Sequence, residues 1–223
     1  MRRIVYSTMK RLAVLLICLA SVQAMPQNGP GKAKALLDEV YTKATGYQNI
    51  FIDFKYVLDN AKEKIHQETR GDVTLQGEKY IFNYLGSTKM YDGKKIYTVV
   101  PENEEVIIEN KDAEDESTIT PSKMLTFYKS GYSYQWDIAQ NIKGRNIQYI
   151  KLTPISTKSD IKSILLGIDV STKHIYNLIE TGKNGVKTTI TVNTMKTNEP
   201  LPKNLFVFNQ AKYEEDGYYI IKN

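Results

Sequence analysis

Two hydrophobic periods divide the chain. In "KAKALLDEVYTKATGY", Leu36, Leu37, Val40, Tyr41 and Ala44 recur every three to four residues. Gly46 follows them, so the pattern predicts one amphipathic helix stopping at that glycine. Beyond it the period falls to two. In "NIFIDFKYVLDN", Ile50, Ile52, Phe54, Tyr56 and Leu58 share one face, and similar runs follow in "TRGDVTLQG", "KYIFNYL", "KKIYTVV" and "EEVIIEN". More come in "YSYQWDIAQ", "RNIQYIKLTPI", "IKSILLGIDVS", "HIYNLIETGK" and "GVKTTITVNTM". Asp92-Gly93, Lys143-Gly144, Ser171-Thr172-Lys173 and Asn184-Gly185 supply turns between them. The expectation is a mainly β protein with a few helices, built as an antiparallel meander of about 10–11 strands, either a barrel or one large curved sheet. The closing stretch "LPKNLFVFNQAKYEEDGYYIIKN" reads as two final strands.

Two segments do not fit a plain meander. "TPSKMLTFYKSG" interrupts the strands. Pro121 follows Thr120 as at a helix start, and Met124, Leu125, Phe127 and Tyr128 then form a short apolar helix ending at Gly131. The other is "YIFNYLGSTKMYDGKKIYTVV", read as a strand, a tight turn and a strand. Phe82 and Tyr84 point to one side and Ile81 and Leu85 to the other, so both faces are apolar. A half-buried antiparallel strand should be apolar on one face only. Either a sandwich or helical cover buries both faces as ordinary core, or the sheet curls around an underfilled apolar hollow plugged by small helices. The second arrangement implies an apolar ligand. The pattern alone leaves both open.

The N-terminus changes the charge balance. "MRRIVYSTMKRLAVLLICLASVQA" has a basic start, an apolar stretch from Leu12 to Ala20 and a small-residue cleavage pattern ending at Ala24, as in a secretory signal. Its apolar stretch is shorter than the ~20 residues of a membrane span. Cys18, between Ile17 and Leu19, reads as part of the signal core rather than as a lipidation site. Cleavage after Ala24 leaves 199 of the 223 residues and removes four basic groups, so 26 basic face 25 acidic groups and the net charge drops from +5 to about +1. The remaining chain has no cysteine, hence no disulfide, and its stability must come from one core. We divide the sequence into a signal (1–24), a linker (25–31) and one domain (32–223), expected to be monomeric.

Candidate chemistry is sparse. His66 and His174 have no second histidine at metal spacing, and neither a Gly-x-Ser-x-Gly elbow nor a phosphate-binding Gly-rich loop occurs. The pattern therefore argues against an enzyme, a metal or another cofactor. The acidic stretch "ENKDAEDES" (109–117) lacks the ligand spacing of a calcium loop and reads as a solvated loop or a docking surface for a basic partner. Trp136 and the 16 tyrosines come without a basic stripe, which argues against nucleic acid.

The order of segments resembles the LolA family of outer-membrane lipoprotein carriers across about residues 32–221. The parts that carry the likeness are the strand with Gly71, Asp72 and Leu75, the Asp92-Gly93-Lys94 turn with an aromatic strand ending in Pro101, and Thr120-Pro121 opening a lid. The resemblance implies an incomplete, half-open antiparallel barrel with helices as a lid over an apolar concave face. It implies a periplasmic carrier of lipoprotein acyl chains, loaded by an inner-membrane ABC transporter and unloaded to an outer-membrane acceptor. With side-chain parity it nominates Ile52, Phe54, Phe82, Tyr84, Tyr97, Val99 and Trp136 as lining, and Met124, Leu125 and Tyr128 as lid. The family often places a lid-latching arginine a few residues before the position of Phe82. Here Glu78 and Lys79 stand there, leaving Lys79 as the possible latch. Related sigma-factor regulators sense lipoproteins with this fold but carry a second domain, for which 199 residues leave no room. The alternative function is a lipid-binding or lipoprotein-sensing module without delivery.

Overall fold

The computed structural model describes residues 29–110 and 121–223. The expected signal, most of the linker and most of the acidic stretch lie outside those residues. Helix α1 (Pro30–Thr45) starts with Pro at its first turn, where a missing N–H costs nothing, and Gly46 caps its end through an N–H to the Thr42 carbonyl. It begins two residues before the pattern suggested. It buries Ala33, Leu36, Leu37 and Val40 along one side.

Twelve strands follow, all in one sheet. They are β1 (Ile50–Asn60), β2 (Ile65–Gln76), β3 (Lys79–Tyr84), β4 (Ser87–Tyr91), β5 (Lys95–Val100), β6 (Glu105–Asn110), β7 (Tyr132–Ile142), β8 (Arg145–Pro154), β9 (Ile161–Asp169), β10 (Ile175–Gly182), β11 (Lys187–Thr197) and β12 (Tyr219–Lys222). The spatial order is β12-β6-β5-β4-β3-β2-β1-β11-β10-β9-β8-β7, so the sheet is open with β7 and β12 at its edges. All neighbours are antiparallel except β12, which runs parallel to β6. The expected incomplete antiparallel barrel is thus present, with one parallel strand added at its rim.

Two local readings are corrected. The Tyr80–Val100 stretch is three strands, because Leu85 (φ 50°) and Gly86 (φ 75°) both adopt left-handed backbone and turn the chain two residues after Asn83. Two successive positive φ values make the tight turn that suits the twist of a hairpin. A leucine is an unusual residue there, which is why the sequence pattern hid the turn; its side chain is 69% exposed. The end of the chain holds one strand, not two. Residues 201–209 wind irregularly, a short helix α2 (Gln210–Glu215) follows, capped by the Asn209 side chain accepting from the Lys212 N–H, and only then comes β12.

This C-terminal segment explains why the β3–β5 region is apolar on both sides. Tyr97, Val99, Val106 and Ile108 of β5 and β6 pack outward against Phe208, Tyr213, Tyr218 and Ile220. The rings stack in a row, Tyr97 to Phe208 at 4.3 Å and Phe208 to Tyr213 at 5.1 Å between centroids. The opposite face points into the sheet's interior. There α1 covers one half, where Leu36, Leu37 and Val40 meet Ile150, Leu152, Ile164, Leu166 and Ile168 of β8 and β9. The β1–β3 half is not buried under α1 in this way; it forms a separate apolar cluster, against which Leu125 packs.

Candidate functional site

Strand register brings the apolar side chains of the β1–β3 half into one array. Ile52 lies opposite Val73 on one side and Met195 on the other; Phe54 lies opposite Gly71 and Val192. Val73 in turn faces Phe82, and Gly71 faces Tyr84. An extra residue, Asn193, bulges β11 between the partners of Asp53 and Phe54 and donates its side-chain N–H to Asp53 at 2.7 Å. Such a bulge bends a strand and increases its twist. Side chains from β1, β2, β3, β9, β10 and β11 accordingly converge on a single cavity of about 270 Å³. The wall is completed by Val40 and Ala44 of α1 and by Pro121, Met124, Leu125 and Phe127 of the segment crossing the mouth.

Gly71 matters for the shape of this wall. A Cβ there would come within 2.5 Å of Phe54 Cζ and 2.6 Å of the Asn83 carbonyl oxygen. Its absence lets the Phe54 ring lie flat on the β2 backbone, stacked on Phe82 (6.0 Å, 9°) and beside Tyr84 (6.2 Å). Tyr56 closes the row edge-on to Tyr84 at 5.5 Å. Burial, aided by Tyr56, raises the pKa of the Tyr84 phenol.

The mouth segment makes two short 3₁₀ turns, Lys123–Leu125 and Phe127–Lys129, rather than the continuous helix expected. Its ties to the body are both apolar, through Leu125, Phe127 and Tyr128, and polar. The Lys129 ammonium reaches Asp38 of α1 at 2.7 Å and sits 4.4 Å above the Tyr41 ring. The Tyr134 hydroxyl of β7 donates to the Tyr128 carbonyl at 2.7 Å. Tyr128 itself is fully buried against α1, and among the described residues its hydroxyl has no hydrogen-bond partner. Hydrogen bonds from Lys129 and Lys34 hold the Asp38 carboxyl below its usual pKa.

This hollow, walled mainly by the curved sheet and crossed by a thin segment, sits in a chain whose residues 46–209 match the family of the outer membrane lipoprotein carrier protein LolA. The chain belongs to the LolA family. No curated protein matches it by sequence. Among solved structures it resembles an uncharacterized conserved protein from Thermus thermophilus, at 9% identity and a TM-score of 0.54 over 86% of this chain and 99% of that one. It also resembles LprF from Mycobacterium bovis, at 12% identity and 0.50 over 79% and 97%. A third is the LolA superfamily protein NE2245 from Nitrosomonas europaea, at 13% identity and 0.40 over 79% and 97%.

The family motifs acquire physical roles here. In the Gly-Asp-x-x-Leu strand, Gly71 makes room for Phe54, Asp72 accepts from the Asn83 amide at 2.8 Å, and Leu75 lines the hollow. In the Asp-Gly-Lys turn, the Asp92 carboxylate accepts from the N–H groups of Lys94 and Lys95 and from the Tyr97 hydroxyl at 3.0 Å. Burial pushes the Tyr97 phenol up to about 12, with Asp92 adding to it.

Of the nominated residues, Ile52, Phe54, Phe82, Tyr84, Met124 and Leu125 stand together on the cavity wall. Tyr97 and Val99 point the other way, into the cluster covered by the C-terminal segment. Trp136 packs against the α1 cluster, with the Lys32 ammonium 4.1 Å above its ring. Tyr128, though part of the mouth segment, is buried against the same helix. The Lys79 side chain lies against Gly93 in the β4–β5 turn. Sequence parity did not find Met195, Val192, Ile190, Leu178 and Leu166, because β11 reaches β1 through pairings as distant as Ile50 with Thr197, and β10 and β9 follow it in turn. Groups of three or more potential metal ligands are absent among the described residues, as are helices long and apolar enough to cross a membrane.

Proposed function

We propose that the protein is a periplasmic carrier that takes lipoprotein acyl chains into the β1–β3 hollow and passes them from the inner to the outer membrane. The supporting observation is the cavity of about 270 Å³ with an almost wholly hydrocarbon and aromatic wall, crossed at its mouth by the segment that carries Met124 and Leu125. Moving an acyl chain of roughly 15 methylenes through water costs on the order of 12 kcal/mol, at about 0.8 kcal/mol each. A dry wall of rings and branched chains removes most of that cost with no covalent step. Ile52, Phe54, Phe82 and Tyr84 hold the tail, and Met124 and Leu125 cover it. The latch is carried by Lys129 with Asp38 and by Tyr134 with the Tyr128 carbonyl. The secretory pattern at residues 1–24 supports the compartment. The partners in this reading are acylated lipoproteins, an inner-membrane ABC transporter that loads the carrier and an outer-membrane acceptor that unloads it.

Release requires moderate affinity. A mouth segment that is favoured closed without cargo subtracts its opening cost from binding. The test is lipoprotein transfer between donor and acceptor membranes by the native protein and by Phe82→Glu, which sets a carboxylate in the wall. The native protein should deliver and the variant should not. Cargo bound by the native protein but never released would point instead to a sensing or storage module. Delivery at the native rate by Phe82→Glu would remove the hollow from the mechanism.

A further inference from the structure

The wall of the hollow changes character at one place. Lys173 and His174, consecutive in the β9–β10 connection, are the only nitrogen-bearing side chains among its described lining residues. We propose that they form a polar subsite for the carboxyl-derived oxygen of an acyl chain, with the tail lying in the apolar part. That oxygen is the carboxylate of a free fatty acid or the ester carbonyl of a lipid-modified polypeptide. The inference rests on the acyl-binding reading above and adds to it where the polar end goes.

The connection that holds the two residues is built rather than loose. Asp169, 2% exposed, accepts from the Ser171 hydroxyl at 2.6 Å, the Ser171 N–H at 3.0 Å and the Thr172 N–H at 3.3 Å, and pairs with Arg145 at 2.8 Å. Its backbone clamps the same loop, with the Lys173 N–H donating to the Asp169 carbonyl at 2.8 Å and the Asp169 N–H to the His174 carbonyl at 3.0 Å. Lys173 is held at φ 61°, left-handed backbone that a side-chain-bearing residue seldom adopts without cause.

Both side chains keep donor capacity. The Lys173 ammonium meets Glu39 of α1 at 2.7 Å, but Glu39 is 54% exposed, and an exposed pair of this kind contributes little and exchanges readily. Nε2 of His174 lies 2.6 Å from the Tyr47 hydroxyl, and its Nδ1 has no hydrogen-bond partner among the described residues. Burial, reinforced by Lys43, lowers the His174 pKa despite the opposing pull of Asp169. Where Tyr47 donates to Nε2, one of the two arrangements this contact admits, the neutral ring carries its proton at Nδ1 and is a donor. Elsewhere on this wall an acyl oxygen would meet only the neutral hydroxyls of Tyr56 and Tyr84 and no charged donor. At this end it meets the Lys173 ammonium and, in that tautomer, the His174 N–H.

The experiment compares three ligands with one tail, dodecanoate, 1-dodecanol and dodecylammonium, below the micelle concentrations of the two ions and the solubility of the alcohol, by displacement of a fluorescent apolar probe. The native protein should bind the anion about tenfold more tightly than the alcohol, as one charge-assisted hydrogen bond provides, and the cation most weakly. Lys173→Met should bring the anion-to-alcohol ratio close to one, and Glu39→Gln should raise it. Lys173→Gly deletes the ammonium while relieving the left-handed backbone, so a matching loss of ratio excludes misfolding as the cause. A dipalmitoylglyceryl-cysteine peptide separates the two sources. If Lys173→Met weakens it as it weakens dodecanoate, ester carbonyls use the subsite; if only dodecanoate weakens, the subsite serves free fatty acid. Equal native affinity for anion and alcohol, or a ratio unchanged in both Lys173 variants, overturns the subsite alone. Failure of all three ligands to bind overturns the acyl-binding reading and the subsite with it.

Discussion

Gly71→Ala adds one methyl group and tests whether the hollow's shape matters. Its new Cβ would stand 2.5 Å from Phe54 Cζ and 2.6 Å from the Asn83 carbonyl oxygen. The first clash is relieved by moving the ring, but the second is with backbone and requires β2 and β3 to part locally. Overpacking of this kind costs about 1–3 kcal/mol, and the reduced freedom of the unfolded chain returns less than 1, for a net loss of about 1–2 kcal/mol. In a domain of this size the melting temperature should fall by roughly 2–8 °C. Phe54 has Gly71 on one side and open cavity on the other, so its ring moves into the space meant for the ligand. Excluding the equivalent of one or two methylenes should weaken an alkyl ligand about four- to fifteenfold. Gly77→Ala is the control. It lies in the β2–β3 turn at φ 58° with nothing within 4 Å of a new Cβ, so it should cost stability through backbone strain alone and leave affinity untouched. Scanning calorimetry and displacement of a fluorescent apolar probe read the two effects. If Gly71→Ala binds alkyl ligand as the native protein does while melting lower, the Phe54 row is not part of the binding wall.

Three further outcomes follow from the same geometry. Tyr134→Phe removes the hydrogen bond to the Tyr128 carbonyl, worth about 1 kcal/mol, and should speed exchange of a bound probe about fivefold, whereas Tyr128→Phe discards an unpartnered buried hydroxyl and should leave exchange unchanged or slow it; stopped-flow release distinguishes them. Asp169 gives a pH signature. Burial alone would push its carboxyl up, but the Ser171 hydroxyl, Arg145 and the Ser171 and Thr172 N–H groups outweigh it and hold it at about 2, against 3.8 ordinarily. Its contribution of about 2 kcal/mol is therefore complete above pH 5 and lost as pH falls through 3.8 toward 2, so acid titration of Asp169→Asn should show a correspondingly shallower loss of stability there. Phe208→Ala breaks the stack between Tyr97 and Tyr213 and should cost about 2 kcal/mol in urea unfolding without altering alkyl affinity, because that stack covers the outer face.

The α1 helix and most strands were legible because their apolar residues repeat at about 3.6 and 2.0, and those periods follow from local backbone geometry. The same periodicity placed Ile52, Phe54, Phe82 and Tyr84 on one face, and the register of β1, β2 and β3 puts them side by side. What parity could not supply was the identity of that face in each strand. Tyr97 and Val99 alternate as regularly as Phe82 and Tyr84, yet they point outward, because the C-terminal segment folds back to cover them. Trp136 faces the interior, but α1 has taken that half. The β4 strand went unseen because Leu85 occupies a left-handed turn position that glycine or asparagine ordinarily fills.

The sequence by itself determined the period of each element, the turns marked by Asp-Gly, Lys-Gly and Asn-Gly, and the order of segments. It did so because these are written in neighbouring residues and in the backbone preferences of glycine and proline. Tertiary structure alone decided which apolar face stays partly empty. That depends on where α1, the 121–130 segment and the C-terminal segment come to rest. It also depends on β11 pairing with β1, a contact that no local pattern encodes and only the competition for buried area resolves.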